Sequence, residues 1–216
     1  MRKTSAVILS LAMSAVLTLP VMAKSAKVYA LKGPTAMGMV KLMSEQDELA
    51  EEDKAYEFSI VTAVDEIGPA IIQGNADIAA MPANLAAVLN QKTQGGIKVL
   101  AVNTLGVLYI VGTGEDISSI ADLAGKTIYA SGKGATPEYA LNYILQGNGL
   151  NPEADVTIEW KAEHAECLAS LLANEDSIAM LPQPFVTTAQ MKDDSVKVLL
   201  DLTEQWDKLQ EGQENP

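Results

Sequence analysis

The chain has 216 residues, 48% of them apolar and 20% charged, with a formal net charge of −13 at pH 7. That length and apolar share suit one large or two small domains with proper cores. The acidity argues against nucleic acid and anionic membrane surfaces, which need basic patches, and the single cysteine, Cys167, excludes an internal disulfide.

Arg2 and Lys3 form a basic n-region, residues 6–19 an apolar h-region, and Val21-Met22-Ala23 a small-residue cleavage site, the pattern of a cleavable export signal over 1–23. The apolar run is shorter than the ~20 residues needed to span a bilayer. Cleavage removes two positive charges, taking the formal charge from −13 to −15. No cysteine follows the signal, so no lipid anchor is expected and the mature protein should be soluble.

Lys27-Val28-Tyr29-Ala30-Leu31 reads as a short strand, and Lys32-Gly33-Pro34-Thr35 turns the chain. A Met-rich helix follows (Met37, Met39, Val40, Leu42, Met43), its methionines expected to fill core, with a charged tail over 44–54. Residues 56–63 alternate as a second strand, with Tyr56, Phe58 and Ile60 on one face. A helix carrying Ile67, Ile71 and Ile72 stops at Gly74. Residues 77–81 are a third strand, Pro82-Ala83-Asn84 opens a helix, and Gly95-Gly96 breaks it. Residues 97–102 read as a fourth strand and 105–111 as a fifth apolar run. Strands separated by helices imply parallel βαβ units.

Residues 112–116 read as a linker, followed by a short helix around 119–123. The pattern then restarts. A strand at 126–130 leads into Ser131-Gly132-Lys133-Gly134-Ala135-Thr136-Pro137, where two glycines allow a tight turn, Thr136 suits a helix cap and Pro137 a first helical position. The helix runs to 146 and closes at Gly147-Asn148-Gly149. Strands at 156–161, 177–181 and 196–202 alternate with helices at 163–173, 185–191 and 204–209, before a polar end.

The two halves echo each other. Val28 to Ala36 resembles Ile128 to Thr136, and Asn75-Ala76-Asp77-Ile78-Ala79-Ala80-Met81-Pro82 resembles Asn174 to Pro182 with one insertion. Two echoes in the same order predict two α/β lobes of like topology, lobe I over 24–111 and lobe II over 112–206. Residues 207–216 are then a tail or the start of a return segment. In open parallel sheets ligands bind beyond the carboxyl ends of the strands, where both glycine corners and both proline loops lie.

Candidate cleft residues follow from that placement. Lys32, Gly33 and Thr35 in one corner, and Ser131, Gly132, Lys133, Gly134 and Thr136 in the other, offer backbone N–H groups, hydroxyls and positive charge at helix N-termini. A lysine in a glycine turn is as readily a solvated one, and the hydroxyls are equally explained by capping. Asn84 and Gln183 in the proline loops, and Asn103 and Thr104 after the fourth strand, offer polar groups with the same ambiguity. His164, the only histidine, follows a strand end. Its spacing from Cys167 admits a metal, but one His and one Cys make a poor set where zinc sites use three or four protein ligands, so no metal and no cofactor are expected. Gly-x-Ser-x-Gly, Walker A and Cys-x-x-Cys motifs are absent, and no catalytic residue is assigned.

Taken with the export signal and paired corners, the stretches 75–82, 123–128 and 168–184 make the chain resemble the periplasmic solute-binding proteins of ABC importers. The likeness spans about residues 27–206 and is strongest to the branch of nitrate-, sulfonate- and taurine-binding proteins and thiamine-precursor binders. Asp-Leu-x-Gly-Lys at 122–126 recurs across the superfamily and supports the fold more than any ligand. The resemblance implies an α/β, two-lobed periplasmic-binding-protein type II fold, with parallel-type sheets flanked by helices and a truncated C-terminus. Family members are usually longer, with a second crossover back to the first lobe, so a fragment or a small first lobe is expected.

The implied function is a non-catalytic periplasmic receptor, a monomer, that captures a small polar or anionic organic solute by hinge closure and delivers it to an inner-membrane ABC permease. Two alternatives remain. One is an enzyme on the same fold, as in a thiamine-pyrimidine synthase whose cysteine-rich motif is missing here. The other is a ligand-presenting partner of a membrane sensor.

Overall fold

The computed structural model describes residues 25–114 and 116–211; the expected export signal, Glu115 of the expected linker and the last five residues lie outside them. A three-stranded sheet is built from β1 (Ala26–Leu31), β2 (Tyr56–Val61) and β3 (Ile78–Ala80), in the order β2-β1-β3 and all parallel. Alternation along β1 buries Val28 and Ala30. The helices of this half are α1 (Pro34–Met37), α2 (Val40–Asp47), α3 (Ile67–Ile72) and α4 (Ala83–Lys92). Ile67 of α3 and Leu89 of α4 are fully enclosed, and Gly68 of α3 lies against Leu89.

The second sheet contains β4 (Leu108–Gly112), β5 (Thr127–Ser131), β6 (Thr157–Lys161), β7 (Ile178–Pro182) and β8 (Lys197–Asp201), in the order β6-β5-β7-β4-β8. β5 runs parallel to β6 and β7, whereas β4 is antiparallel to both β7 and β8. The helices here are α5 (Thr136–Gly147), α6 (His164–Ala173), α7 (Phe185–Lys192) and α8 (Leu202–Gln210). One core joins Ile110, Ile128 and Met180 to Leu141, Ile144 and Leu145 of α5. The other joins Val111, Ala179 and Leu181 to Cys167, Leu168 and Leu171 of α6 and Ala189 of α7. Neighbouring residues of β7 thus face different cores, as the pleat requires, and all five are buried.

The repeat is visible as topology: β2-β1-β3 in one sheet matches β6-β5-β7 in the other. Four expectations change. Residues 97–102 form no strand; Val99, Leu100, Val102 and Leu105 are 74–80% exposed on a segment without regular structure that carries the chain between the sheets. An apolar run becomes a strand only with a hydrogen-bonding neighbour, and the three-stranded ladder ends at β3. The apolar run expected to close the first half supplies β4 of the second sheet, so the junction anticipated at 111/112 falls inside a strand. Thr113, expected in a linker, is buried and exchanges hydrogen bonds with Ser177 (Thr113 N to Ser177 O, 3.1 Å; Ser177 N to Thr113 Oγ1, 3.3 Å).

The Met-rich segment is two helices rather than one and supplies no buried apolar residue. It breaks at Gly38, where a Cβ would meet the Asn103 carbonyl at 2.9 Å. Its buried residue is Gln46, whose Oε1 accepts from Ala55 N and Tyr56 N (2.8 and 3.0 Å) and so fixes the entry to β2. Asp122 of the Asp-Leu-x-Gly-Lys stretch accepts from the backbone and hydroxyls of Ser118 and Ser119, which holds its carboxyl below the usual range. Its work is to cap the short 3-10 turn Ile120–Leu123. Among the described residues no helix is long and apolar enough to cross a membrane.

Candidate functional site

The carboxyl ends of β1 and β5, the equivalent strands of the two sheets, open on one cleft of about 1160 Å³. Its walls come from both sheets and from the crossing segment, and include Lys32, Thr35, Asn103, Thr104, Ser131, Gly132, Thr136 and His164. Gly33, Asn84, Lys133, Gly134 and Gln183 stand beside the cleft without lining it. Gln183 turns back on its own helix, its Oε1 accepting from Thr187 N and Oγ1 (3.3 and 2.9 Å). Lys133 is exposed.

The first corner is held from outside. Asn103 Nδ2 donates to Thr35 O (3.0 Å) and Thr104 Oγ1 to Pro34 O (3.2 Å), so the crossing segment fastens the carbonyls of α1. The second corner holds itself. Gly132 has φ +83°, and a Cβ on it would strike Pro137 Cγ at 2.8 Å, so only glycine fits that turn. Ala135, rather than Thr136, occupies the cap of α5. The Thr136 hydroxyl reaches instead to Asn84 Oδ1 (3.2 Å), while Asn84 Nδ2 donates to Gly134 O (3.0 Å).

His164 opens α6 between the corners. Its Nδ1 lies 2.6 Å from Ser131 Oγ, its ring packs 5.4 Å from that of Phe185, and a Cβ on Gly33 would sit 3.8 Å from its Cδ2. Burial lowers the imidazole to about 4, so at neutral pH the ring is uncharged. If Ser131 donates to Nδ1, the ring proton rests on Nε2. Burial likewise pushes the Cys167 thiol up to about 11, against a hydrogen bond with Ser131. A serine beside a histidine suggests acyl chemistry, but Ser131 is 2% exposed and shared between His164 and Cys167. That geometry suits binding better than nucleophilic attack. Among the described residues no group of three His, Cys, Asp or Glu side chains is placed to hold a metal ion.

Sequence reasoning missed Phe185, Met39 and Trp206 as parts of the cleft wall. Phe185 was within reach, since it directly follows the second proline loop. Trp206 was not, because α8 reaches the cleft only through its packing on α5.

A cleft between two α/β units, set at the carboxyl ends of their parallel strands, is the arrangement of the periplasmic-binding-protein fold. The chain belongs to the family described as ABC transporter, phosphonate, periplasmic substrate-binding protein, whose model matches residues 46–205. Solved structures show the same fold. An ABC transporter from Parabacteroides distasonis is 25% identical, with TM-score 0.61 over 82% of this chain and 59% of that one. The periplasmic aliphatic sulphonate binding protein SsuA from Escherichia coli is 19% identical, with TM-score 0.62 over 83% and 61%. A binding protein component of an ABC phosphonate transporter from Pseudomonas aeruginosa is 12% identical, with TM-score 0.54 over 82% and 65%. The chain spans less than two thirds of each of these structures. A comparison with curated proteins gives no match.

Proposed function

We propose that this chain is the solute-capturing part of an ABC import system, binding a small organic anion of the sulfonate or phosphonate kind between its two halves. The observation that carries this reading is the pair of equivalent corners, after β1 and β5, opening on one cleft. Each corner turns at a glycine of positive φ, Gly33 or Gly132, beyond the end of its strand, a place where ligands sit in open parallel sheets. Lys32 and Lys98 supply positive charge to a wall that also carries Asp77 and Glu163, and His164 is neutral. The apolar crossing segment suits an organic tail on that head. Names of related structures agree with this class, one being an aliphatic sulphonate binding protein and another a component of a phosphonate transporter.

Delivery to an inner-membrane permease, location in the periplasm and action as a monomer complete the proposal. The two lobes, expected over 24–111 and 112–206, are its working halves, with their junction placed ahead of β4 so that β4 belongs to the second. A thermal-shift screen of alkylsulfonates, alkylphosphonates, nitrate, neutral sugars and amines tests it. Sulfonates or phosphonates should raise the melting temperature by several degrees through preferential binding to the folded form. Stabilisation by neutral or cationic compounds alone would sink the anion assignment. Turnover of a stabilising compound, abolished in His164→Ala, would favour the enzyme instead.

A further inference from the structure

We propose that Asn84 is a latch that closes the two halves on each other by protein contacts alone, and so sets how much of the protein is closed before solute arrives. Asn84 is the second residue of α4, in the first half, yet both ends of its amide are engaged by the second half. Nδ2 donates to Gly134 O and Oδ1 accepts from Thr136 Oγ1, across 50 and 52 residues of sequence. A carbonyl only accepts, so Gly134 fixes which way the amide points.

The second half presents these partners deliberately. Gly134 adopts φ +77° in open space, so its glycine serves conformation rather than clearance. Its N–H donates to Glu138 Oε2 at 2.5 Å, anchoring the loop to its own helix. Thr136 is not spent on capping α5. Asn84 stands outside the cleft wall, so its side chain serves closure and leaves the interior to the solute. Losing the pair of hydrogen bonds, at about 1 kcal/mol each, lowers the closed-to-open ratio by about thirtyfold. Apparent affinity scales with the closed fraction, so it falls in the same direction and by no more than that factor.

The test places donor and acceptor dyes at Lys92→Cys, on the end of α4, and Lys192→Cys, on the end of α7. Cys167 is buried and its thiol is too weakly acidic to compete for label. In the ligand-free full chain, Asn84→Ala should lengthen the mean distance and lower transfer efficiency. Thr136→Val should do the same, and the double variant should add little, since the two residues share one contact. The affinity part, read with whichever sulfonate or phosphonate stabilises the protein, rests on the solute-capture proposal; the distance part does not. An unchanged ligand-free distance in both variants overturns the latch. If Asn84→Ala then weakens solute binding, Asn84 is a ligand contact instead.

Discussion

The two corners occupy equivalent places, each following the strand flanked by two parallel neighbours, yet they are stabilised differently. The Gly132 corner rests on a sheet with two enclosed cores and is held by its own helix, through Pro137 packing and the Glu138 bond to Gly134. The Gly33 corner belongs to a three-stranded sheet and takes its support from Asn103 and Thr104, some 70 residues away. Equal topology therefore does not mean equal rigidity. The second half is a fixed jaw, whereas the first is positioned by the segment that joins it to the second.

The sharpest way to break this comparison is to damage the fixed jaw's core. Leu145→Ala, in the cluster beneath β5, should cost about 3 kcal/mol of global stability in urea titration. Leu100→Ser, on the exposed crossing segment, should stay within about 0.5 kcal/mol. Comparable losses at the two sites would contradict the assignment of the core.

Next in size is a pH effect at the seam, where His164, bonded to Ser131, lies beside Gly33. The unfolded histidine takes up a proton near pH 6.5, while the folded one resists until about pH 4. Between those values the unfolded state binds more protons, so stability rises with pH in that window and is lost as pH falls through it. The loss should be on the order of 2–3 kcal/mol between pH 7 and pH 4, read by urea titration at each pH. His164→Gln should flatten that part of the profile; an unaltered slope would move its origin to the carboxylates.

The smallest effect concerns the first corner alone. Asn103→Ala removes the bond to Thr35 O and should cost about 1 kcal/mol. Amide exchange should quicken in α1 and β1 while β5 and β7 stay protected. Equal acceleration in both sheets would show that the halves unfold as one unit.

Strand positions in the second half were legible because their signals are local. Alternating apolar residues, Gly147-Asn148-Gly149 and the proline at 182 locate β5, α5 and β7 to within a residue or two. The crossing segment was not legible. Residues 97–102 carry the composition of a strand, and composition cannot say whether a neighbour stands ready to pair with it. Of the cleft wall, Ser131, Thr136 and His164 were identifiable from their places after strands. Their partners were not, since Thr136 reads as a cap until Asn84 is seen beside it.

By itself, the amino-acid sequence determined the α/β alternation, the two echoing corners and the glycines their turns demand. These depend on residues within one turn or strand of each other, where pleat period and steric limits act directly. Tertiary structure decided the antiparallel entry of β4 into the second sheet, the unpaired course of 97–102, and the amide bridge from Asn84 to Gly134 and Thr136. Each depends on groups many residues apart, brought within hydrogen-bond reach only by the packing of one half against the other.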